Sequence, residues 1–285
     1  MSETAAYAGC REQLEELYAK YNRREFVHPD PLEFLYRYED AGDREIAGLV
    51  AASLAYGRVA QILRSVEGVL SRMGRPAEFL RHATAKTLGE TFGDFKHRFT
   101  TGAELASMLE GAKRAIERHG SLEKCFARAL GANDETVEGA LTEFAAELTL
   151  SCGCRPANPR GANPRGASLI PAPELGSACK RLNLYLRWMV RRDEVDPGGW
   201  ESVPKAKLIV PLDVHMFRIC RALGMTRRNQ ADMKTALEIT AGFREMAPED
   251  PVRYDFAITR LGIRAETDPR EFLSSCGVNW ESRNG

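Results

Sequence analysis

Apolar residues recur at three- and four-residue steps along most of the chain. Runs with this spacing begin at Ile46, Leu105, Val137, Leu182 and Phe217. Such spacing puts apolar side chains on one face of a helix, and the alternating pattern that is typical of strands is rare. The sequence therefore predicts an all-α fold.

Two boundary signals favour the same prediction. Asp250 followed by Pro251 has the pattern of an N-cap and a first helical residue, and Gly224 has the pattern of a helix end. We therefore expect one helix to begin at Pro251 and another to end just before Gly224.

Residues 151–173 interrupt the helical pattern with a tandem Ala-Asn-Pro-Arg-Gly repeat. Proline and glycine at this density cannot propagate a helix. The segment is therefore interpreted as an inserted loop or a linker between two helical subdomains. Cys152 and Cys154 lie within it, but no second ligand pair with zinc spacing accompanies them, so no metal is expected.

Composition adds a cellular location and leaves the partner open. The chain has 285 residues, 44% of them hydrophobic, and 40 basic residues balance 40 acidic ones. No stretch approaches the ~18 apolar residues of a membrane span, and no secretory signal is expected at the N-terminus. The seven cysteines form an odd, scattered set that is typical of reduced thiols, so we expect a cytoplasmic protein.

The balanced net charge hides a gradient along the chain. Residues 1–50 carry 6 basic and 11 acidic residues, whereas residues 180–228 carry 11 basic and 5 acidic residues. A basic region of this kind either contacts an anionic partner or is a solvated helical surface, and charge alone leaves both readings open.

Lys180 lies at the start of a predicted helix, because Gly176 and Ser177 precede an apolar periodic run and Ser177 is the expected N-cap. The electropositive end of a helix disfavours an ammonium group and favours the free amine that a nucleophile needs. Position alone favours the alternative, an exposed lysine without a catalytic role.

Asp213 is the expected N-cap of the next informative helix. A carboxylate that accepts backbone N–H bonds keeps a low pKa, so it would stay ionised in a dry pocket and stabilise a nearby positive charge. The alternative is that Asp213 only caps the helix.

The run Leu-Asp-Val-His-Met-Phe-Arg-Ile-Cys-Arg-Ala-Leu-Gly at 212–224 resembles the aspartate-bearing segment of the helix-hairpin-helix DNA glycosylase superfamily, with Val214 in place of the usual threonine. The 33 positions between Lys180 and Asp213 resemble the spacing of the archaeal 8-oxoguanine DNA glycosylase branch. Segments 32–62 and 179–200 are more similar still to a prokaryotic family known only as a domain of unknown function.

The resemblance implies a single unit over 1–285, with two helical subdomains and a cleft between them. It implies a bifunctional DNA glycosylase/AP lyase that excises oxidised purine, 8-oxoguanine, with Lys180 as the nucleophile and Asp213 as the catalytic carboxylate. Two departures accompany it. The usual Leu-Pro-Gly-Val-Gly hairpin is replaced by residues 174–181, and the four cysteines of an iron–sulfur cluster are absent.

The same resemblance implies further contacts, to double-stranded DNA with a damaged base, by a monomer without a cofactor. The residues expected to contact DNA are Tyr56, Arg58, Ser177, Arg187 and Arg218. Leu184 and Tyr185 are expected to line the pocket. The alternative function is a non-catalytic helical nucleic-acid-binding protein, and a Lys180 side chain far from Asp213 would favour it.

Overall fold

The computed structural model describes residues 9–149, 169–171, 173–263 and 268–278. Most of these residues are helical, so the prediction of an all-α fold is confirmed. The helices are α1 (Arg11–Tyr21), α2 (Ala41–Ser53), α3 (Val59–Met73), α4 (Pro76–His82), α5 (Ala85–Phe92), α6 (Gly102–His119), α7 (Leu122–Arg128), α8 (Glu138–Thr149), α9 (Lys180–Val190), α10 (Val214–Ala222), α11 (Met233–Met246), α12 (Asp255–Ile263) and α13 (Pro269–Ser275).

A small hairpin and four short 3-10 helices complete the described secondary structure. Strands β1 (Lys96–His97) and β2 (Thr100–Thr101) pair antiparallel around a two-residue loop. The 3-10 helices are Arg24–Phe26, Pro31–Arg37, Pro173–Leu175 and Lys205–Lys207.

Short polar side chains fix where several helices begin. Asp40, Thr101 and Asp232 each accept a backbone N–H in the first turn of α2, α6 and α11. At α6, Glu104 also bonds back to the Thr101 N–H, which completes a capping box. Such caps satisfy N–H groups that have no partner inside the helix.

One of the two sequence boundary signals is confirmed and the other is wrong. Gly224 follows α10 with a φ of 82°, a conformation that glycine adopts at little cost. Residues 251–254 form a turn, and α12 begins only at Asp255. The Asp250 carboxylate accepts a hydrogen bond from Arg191 Nε at 3.0 Å, so it serves an ion pair.

The helices sort into two groups by the contacts they make. Helices α2 to α8 follow one another in sequence and pack together, and α9 packs against α2. The N-terminal α1 packs instead on α12, which also contacts α10. The starts of α9 and α10 therefore lie where the two groups meet.

The predicted insertion lies largely outside the described part of the chain, which leaves out 151–168, Cys152 and Cys154 included. Its last residue, Pro173, begins the 3-10 helix Pro173–Leu175, which packs on α8. Within the described residues, no helix has the length and apolar character needed to cross a bilayer.

Candidate active site

The start of α9 puts Lys180 at the first helical position. The preceding residue, Cys179, has a left-handed φ of 48°, and its N–H donates to Ser177 Oγ at 3.1 Å. The expectation that Ser177 is the N-cap is wrong, because this turn makes Cys179 the residue that flanks the helix. Ser177 is exposed and forms an isolated β-bridge with Asp232.

Asp213 caps α10, as the sequence predicts. Its Oδ1 accepts the backbone N–H groups of His215 and Met216, both at 2.9 Å. Two fixed donors on one oxygen hold the carboxyl group in a single orientation and leave the other oxygen, Oδ2, available.

Oδ2 of Asp213 faces the side chain of Lys180. The Lys180 Nζ lies 3.1 Å from Asp213 Oδ2, and the two side chains are 36% and 17% exposed. The amine and the carboxylate, which are 33 positions apart in sequence, therefore meet at the surface junction of the two helix groups. The amine remains accessible to a ligand from solvent.

The surroundings of Asp213 favour its ionised form. Burial alone would raise the pKa of this carboxyl, but the Lys180 charge and the Met216 N–H outweigh burial and lower the pKa below its usual range. Asp213 is thus a fixed negative charge next to the amine at neutral pH.

His215 connects the start of α10 to α12. A Cβ at Gly262 of α12 would lie 2.6 Å from the His215 Nδ1 and 3.0 Å from its Cβ. The ring therefore packs directly on the backbone of α12, which only a glycine allows. This contact helps to fix the position of Asp213 two residues earlier.

A buried cluster of charges lies behind the pair. Arg187 of α9 is 3% exposed and forms ion pairs with Asp196 and Asp255. The expected contact of Arg187 with DNA is therefore wrong, because its guanidinium is enclosed and bound to two carboxylates. Burial raises the pKa of Asp255 to about 6, with Arg187 acting in the opposite direction and the charges of Asp213 and Lys180 also acting on it.

Tyr56 also differs from its expected role as a DNA contact. Its hydroxyl lies 2.6 Å from Thr100 Oγ1 and donates to the His97 carbonyl at 2.9 Å. The ring packs edge-on against His97 and is half-buried. A tyrosine whose hydroxyl and ring both contact the hairpin in this way supports the hairpin rather than reaching into DNA.

Of the two expected pocket residues, only Leu184 remains a candidate. Tyr185 has 0% of its surface exposed and stacks on Phe144 at 6.3 Å, edge-on to Trp200 at 5.3 Å, so the prediction that it lines a pocket is wrong. Leu184 is half-buried and lies one turn after Lys180 on the same side of α9.

Arg58 and Arg218 are exposed, as a contact with phosphate requires. Arg58 precedes α3, and Arg218 lies one turn into α10, on the side of Val214, which is 57% exposed.

The sequence did not indicate Asp255 as a residue of this site. Its partner Arg187 is 68 positions away, so no local pattern marks the pair.

The described residues contain no group of three or more His, Cys, Asp or Glu side chains with the arrangement of a metal site. The site as described consists of an amine, a carboxylate and a buried charge network. Its chemistry is that of a nucleophile beside a fixed negative charge.

Comparison with known proteins gives a family match. A family model described as "Protein of unknown function (DUF2400)" matches residues 30–264, which is well over half of the chain. No curated protein and no solved structure matches the chain. The matched range includes α9 and α10, so both Lys180 and Asp213 lie within the family's shared region.

Proposed function

The chain belongs to the DUF2400 family, and we propose that it is a bifunctional DNA glycosylase/AP lyase with a helix-hairpin-helix glycosylase-like fold. The observation that carries the proposal is the 3.1 Å approach of Lys180 Nζ to Asp213 Oδ2. This approach brings an accessible amine next to a fixed, ionised carboxylate, which is the pair of groups that the reaction requires. The substrate in this proposal is double-stranded DNA with an oxidised purine, 8-oxoguanine, as the resemblance to the archaeal branch implies.

The first step is displacement of the damaged base. The nucleotide leaves the stack, because its glycosidic bond cannot be reached inside a duplex. The Lys180 amine forms a bond to C1′ while the C1′–N bond to the base breaks. The electron pair of the broken bond leaves with the base, which takes up a proton. Asp213 stabilises the positive charge that develops on the sugar and accepts a proton from the attacking amine.

The second step cuts the strand. The lone pair of the Lys180 nitrogen then forms a double bond to C1′ while the C1′–O4′ bond breaks and opens the sugar ring. O4′ keeps the electron pair of that bond and takes the proton that Asp213 accepted, which gives a protonated imine between Lys180 and C1′. Loss of a proton from C2′ then expels the 3′ phosphate by β-elimination, with the imine drawing the electron pair. Water finally hydrolyses the imine and releases the free amine of Lys180.

The surface around the pair supports binding of a duplex. Arg58 and Arg218 are exposed on the two helix groups and suit phosphate contacts, and Ser177 lies exposed beside α9. Leu184 is the remaining candidate for the pocket wall. We further expect a monomer that acts in the cytoplasm, at the chromosome, without a cofactor.

Borohydride trapping tests the proposal. Wild type is incubated with a duplex that carries one 8-oxoguanine, or one natural abasic site, and sodium borohydride reduces the imine to a stable secondary amine. We expect a covalent protein–DNA adduct with both duplexes and none with undamaged DNA. Lys180→Gln should abolish the adduct, while Lys207→Gln serves as a control that should retain it.

Two results would contradict the proposal in different ways. No adduct on any oxidised or abasic duplex, with DNA binding intact, would leave the non-catalytic nucleic-acid-binding alternative. An adduct on the abasic duplex alone would keep the lyase and reject 8-oxoguanine as the base that is removed.

A further inference from the structure

The hairpin β1–β2 presents a phenylalanine to solvent. Phe99 is 62% exposed, and within the described part of the chain it and Val214 are the large apolar residues that are exposed. Val214 directly follows Asp213, whereas Phe99 occupies the two-residue loop between the strands. The Phe99 ring at the tip of this short loop is not covered by the rest of the protein and is therefore accessible to a flat partner.

The hairpin is rigidly attached at its base. His97 is buried, with its Nδ1 2.8 Å from Ser65 Oγ and its Nε2 3.1 Å from the carbonyl oxygen of Tyr56. The Tyr56 hydroxyl in turn bonds to Thr100. Side chains from α3 and from the loop after α2 therefore hold both strands.

Arg98 is fixed beside Phe99 by a second close contact. Gly57 has a φ of 100°, and a Cβ there would lie 2.7 Å from both Cδ and Nη1 of Arg98. Arg98 itself has a left-handed φ of 54°, and its guanidinium lies 5.7 Å from the Phe99 ring. The loop tip thus offers an aromatic face and a cation side by side.

The same hairpin is connected to the start of α9. Arg181, the residue after Lys180, donates from Nη1 to the Ser53 carbonyl at 2.9 Å, and its guanidinium lies 5.1 Å from the Tyr56 ring. Lys180, Arg181, Tyr56 and the hairpin therefore form one continuous packed unit. The base of the hairpin is thereby connected to the residue that follows Lys180.

The charges around the tip favour an anionic, ring-bearing partner. Lys96, Arg98 and Arg58 are all exposed in the hairpin or the adjoining loop. Cations beside an exposed aromatic ring suit a nucleic-acid strand, in which phosphates alternate with flat bases.

We propose that Phe99 stacks on a nucleobase of the DNA bound at Lys180 and Asp213, at a base step that the lesion has opened. The inference rests on the proposed function for the position of the lesion. Tyr56, which the resemblance implied as a DNA contact, positions the hairpin, while Phe99 makes the contact and Arg98 binds the adjacent phosphate. Apolar side chains inserted at a base step are a known way to hold an opened duplex.

The test uses a duplex with a tetrahydrofuran abasic analogue next to 2-aminopurine. The analogue cannot form an imine, so binding is measured without the chemistry of Lys180. Phe99→Ala should weaken binding to this duplex about tenfold and lose the change in 2-aminopurine emission, because base–aromatic stacking is removed. Phe99→Trp should retain both, because an indole ring can stack on a base in the same way.

The outcomes separate this inference from the proposed function. Phe99→Ala that binds like wild type would overturn the role of Phe99, even if wild type is trapped by borohydride on a natural abasic site. Binding that depends on Phe99, with no trapping by wild type, would retain the stacking contact and reject the lyase. Wild type that binds neither damaged nor intact duplex would overturn both.

Discussion

The two carboxylate oxygens of Asp213 have different partners. Oδ1 accepts two backbone N–H groups and fixes the start of α10, whereas Oδ2 faces the amine of Lys180. Because the cap orients the carboxyl group, the ion pair does not depend on a freely rotating side chain. The structural and the proposed catalytic roles of Asp213 can therefore be separated by substitution.

Asp213→Asn keeps an oxygen that can cap α10 and removes the negative charge. We expect DNA affinity within about twofold of wild type and a borohydride trapping rate lowered by roughly 100-fold, since a fixed charge at the reacting centre is lost. Asp213→Ala should in addition lower the free energy of unfolding by about 1 kcal/mol. Urea denaturation and trapping kinetics measure the two effects. If Asp213→Asn loses affinity and turnover equally, the residue is only a cap.

For single residues, the sequence indicated that Asp213 is a capping carboxylate, but it did not indicate which carboxylates bind Arg187. Asp213 was recognisable as a cap from its place before an apolar run, but the Lys180 charge lowers its pKa more than the backbone N–H of Met216 does. Arg187 looked like a surface arginine, because nothing near it in sequence indicates the buried Asp255 of α12. Whether a charge faces solvent or another element depends on tertiary packing, which periodicity does not encode.

The position of α10 depends on how closely it approaches α12. His215 packs on the backbone at Gly262, where a side chain would collide with the ring. Since Asp213 caps the same turn, a displacement of His215 would be transmitted to the carboxylate. The packing of α10 on α12 therefore contributes to the separation between Asp213 and Lys180.

Gly262→Ala tests this dependence. The added methyl should displace His215 and the start of α10, and we expect the trapping rate to fall at least about tenfold, because small misplacements of a catalytic group are costly. Gly68→Ala in α3 is the matched control, since a Cβ there meets no atom within 4 Å. It should raise the free energy of unfolding by about 0.5–1 kcal/mol and leave trapping unchanged. Equal trapping by both variants would show that the contact is irrelevant to the site.

Helices were predictable from the sequence, but some of their ends were not. Apolar periodicity identified α9 and α10 because each buries one face, and Gly224 marked the end of α10. The start of α9 was misassigned to Ser177, since the left-handed turn at Cys179 has no sequence signal of the kind a glycine would give. The expected role of Tyr56 failed because its partners lie in a hairpin of two-residue strands, too short to show a pattern.

For the whole molecule, the buried charge network joins the two helix groups. Arg187 of α9 binds Asp255 of α12, and Arg191, just after α9, binds Asp250. Removing one member of such a pair leaves an uncompensated buried charge, which typically costs about 3–5 kcal/mol. Each ion pair therefore makes the packing of the two groups specific, because a charge in one group is left unpaired when its partner in the other group is removed.

The raised pKa of Asp255 predicts a pH dependence of stability. The folded protein takes up a proton at Asp255 as the pH falls through about 6, while the unfolded chain does so only near its usual value of about 3.9. Asp255 therefore destabilises the fold when ionised above pH 6, and this penalty is relieved progressively below that pH. Relative to Asp255→Asn, wild type should gain up to about 1.4 kcal/mol in free energy of unfolding per pH unit below 6.

Urea denaturation of wild type and Asp255→Asn between pH 4.5 and 7.5 measures that difference. Asparagine has nearly the same shape and does not titrate, but it also removes the charge opposite Arg187. That loss does not vary over this pH range, so the part of the difference that changes with pH reports the proton at Asp255. A difference between their unfolding free energies that stays constant over this range would contradict a raised pKa.

In the proposed reaction, the amine of Lys180 forms the covalent intermediate, and the residue that carries this intermediate can be identified directly. The borohydride-trapped adduct of wild type with a duplex carrying an abasic site is digested with nuclease and protease, and the modified peptide is sequenced by mass spectrometry. We expect the reduced sugar remnant on Nζ of Lys180. A remnant on another lysine or on the N-terminal amine, or no modified peptide at all, would contradict the account.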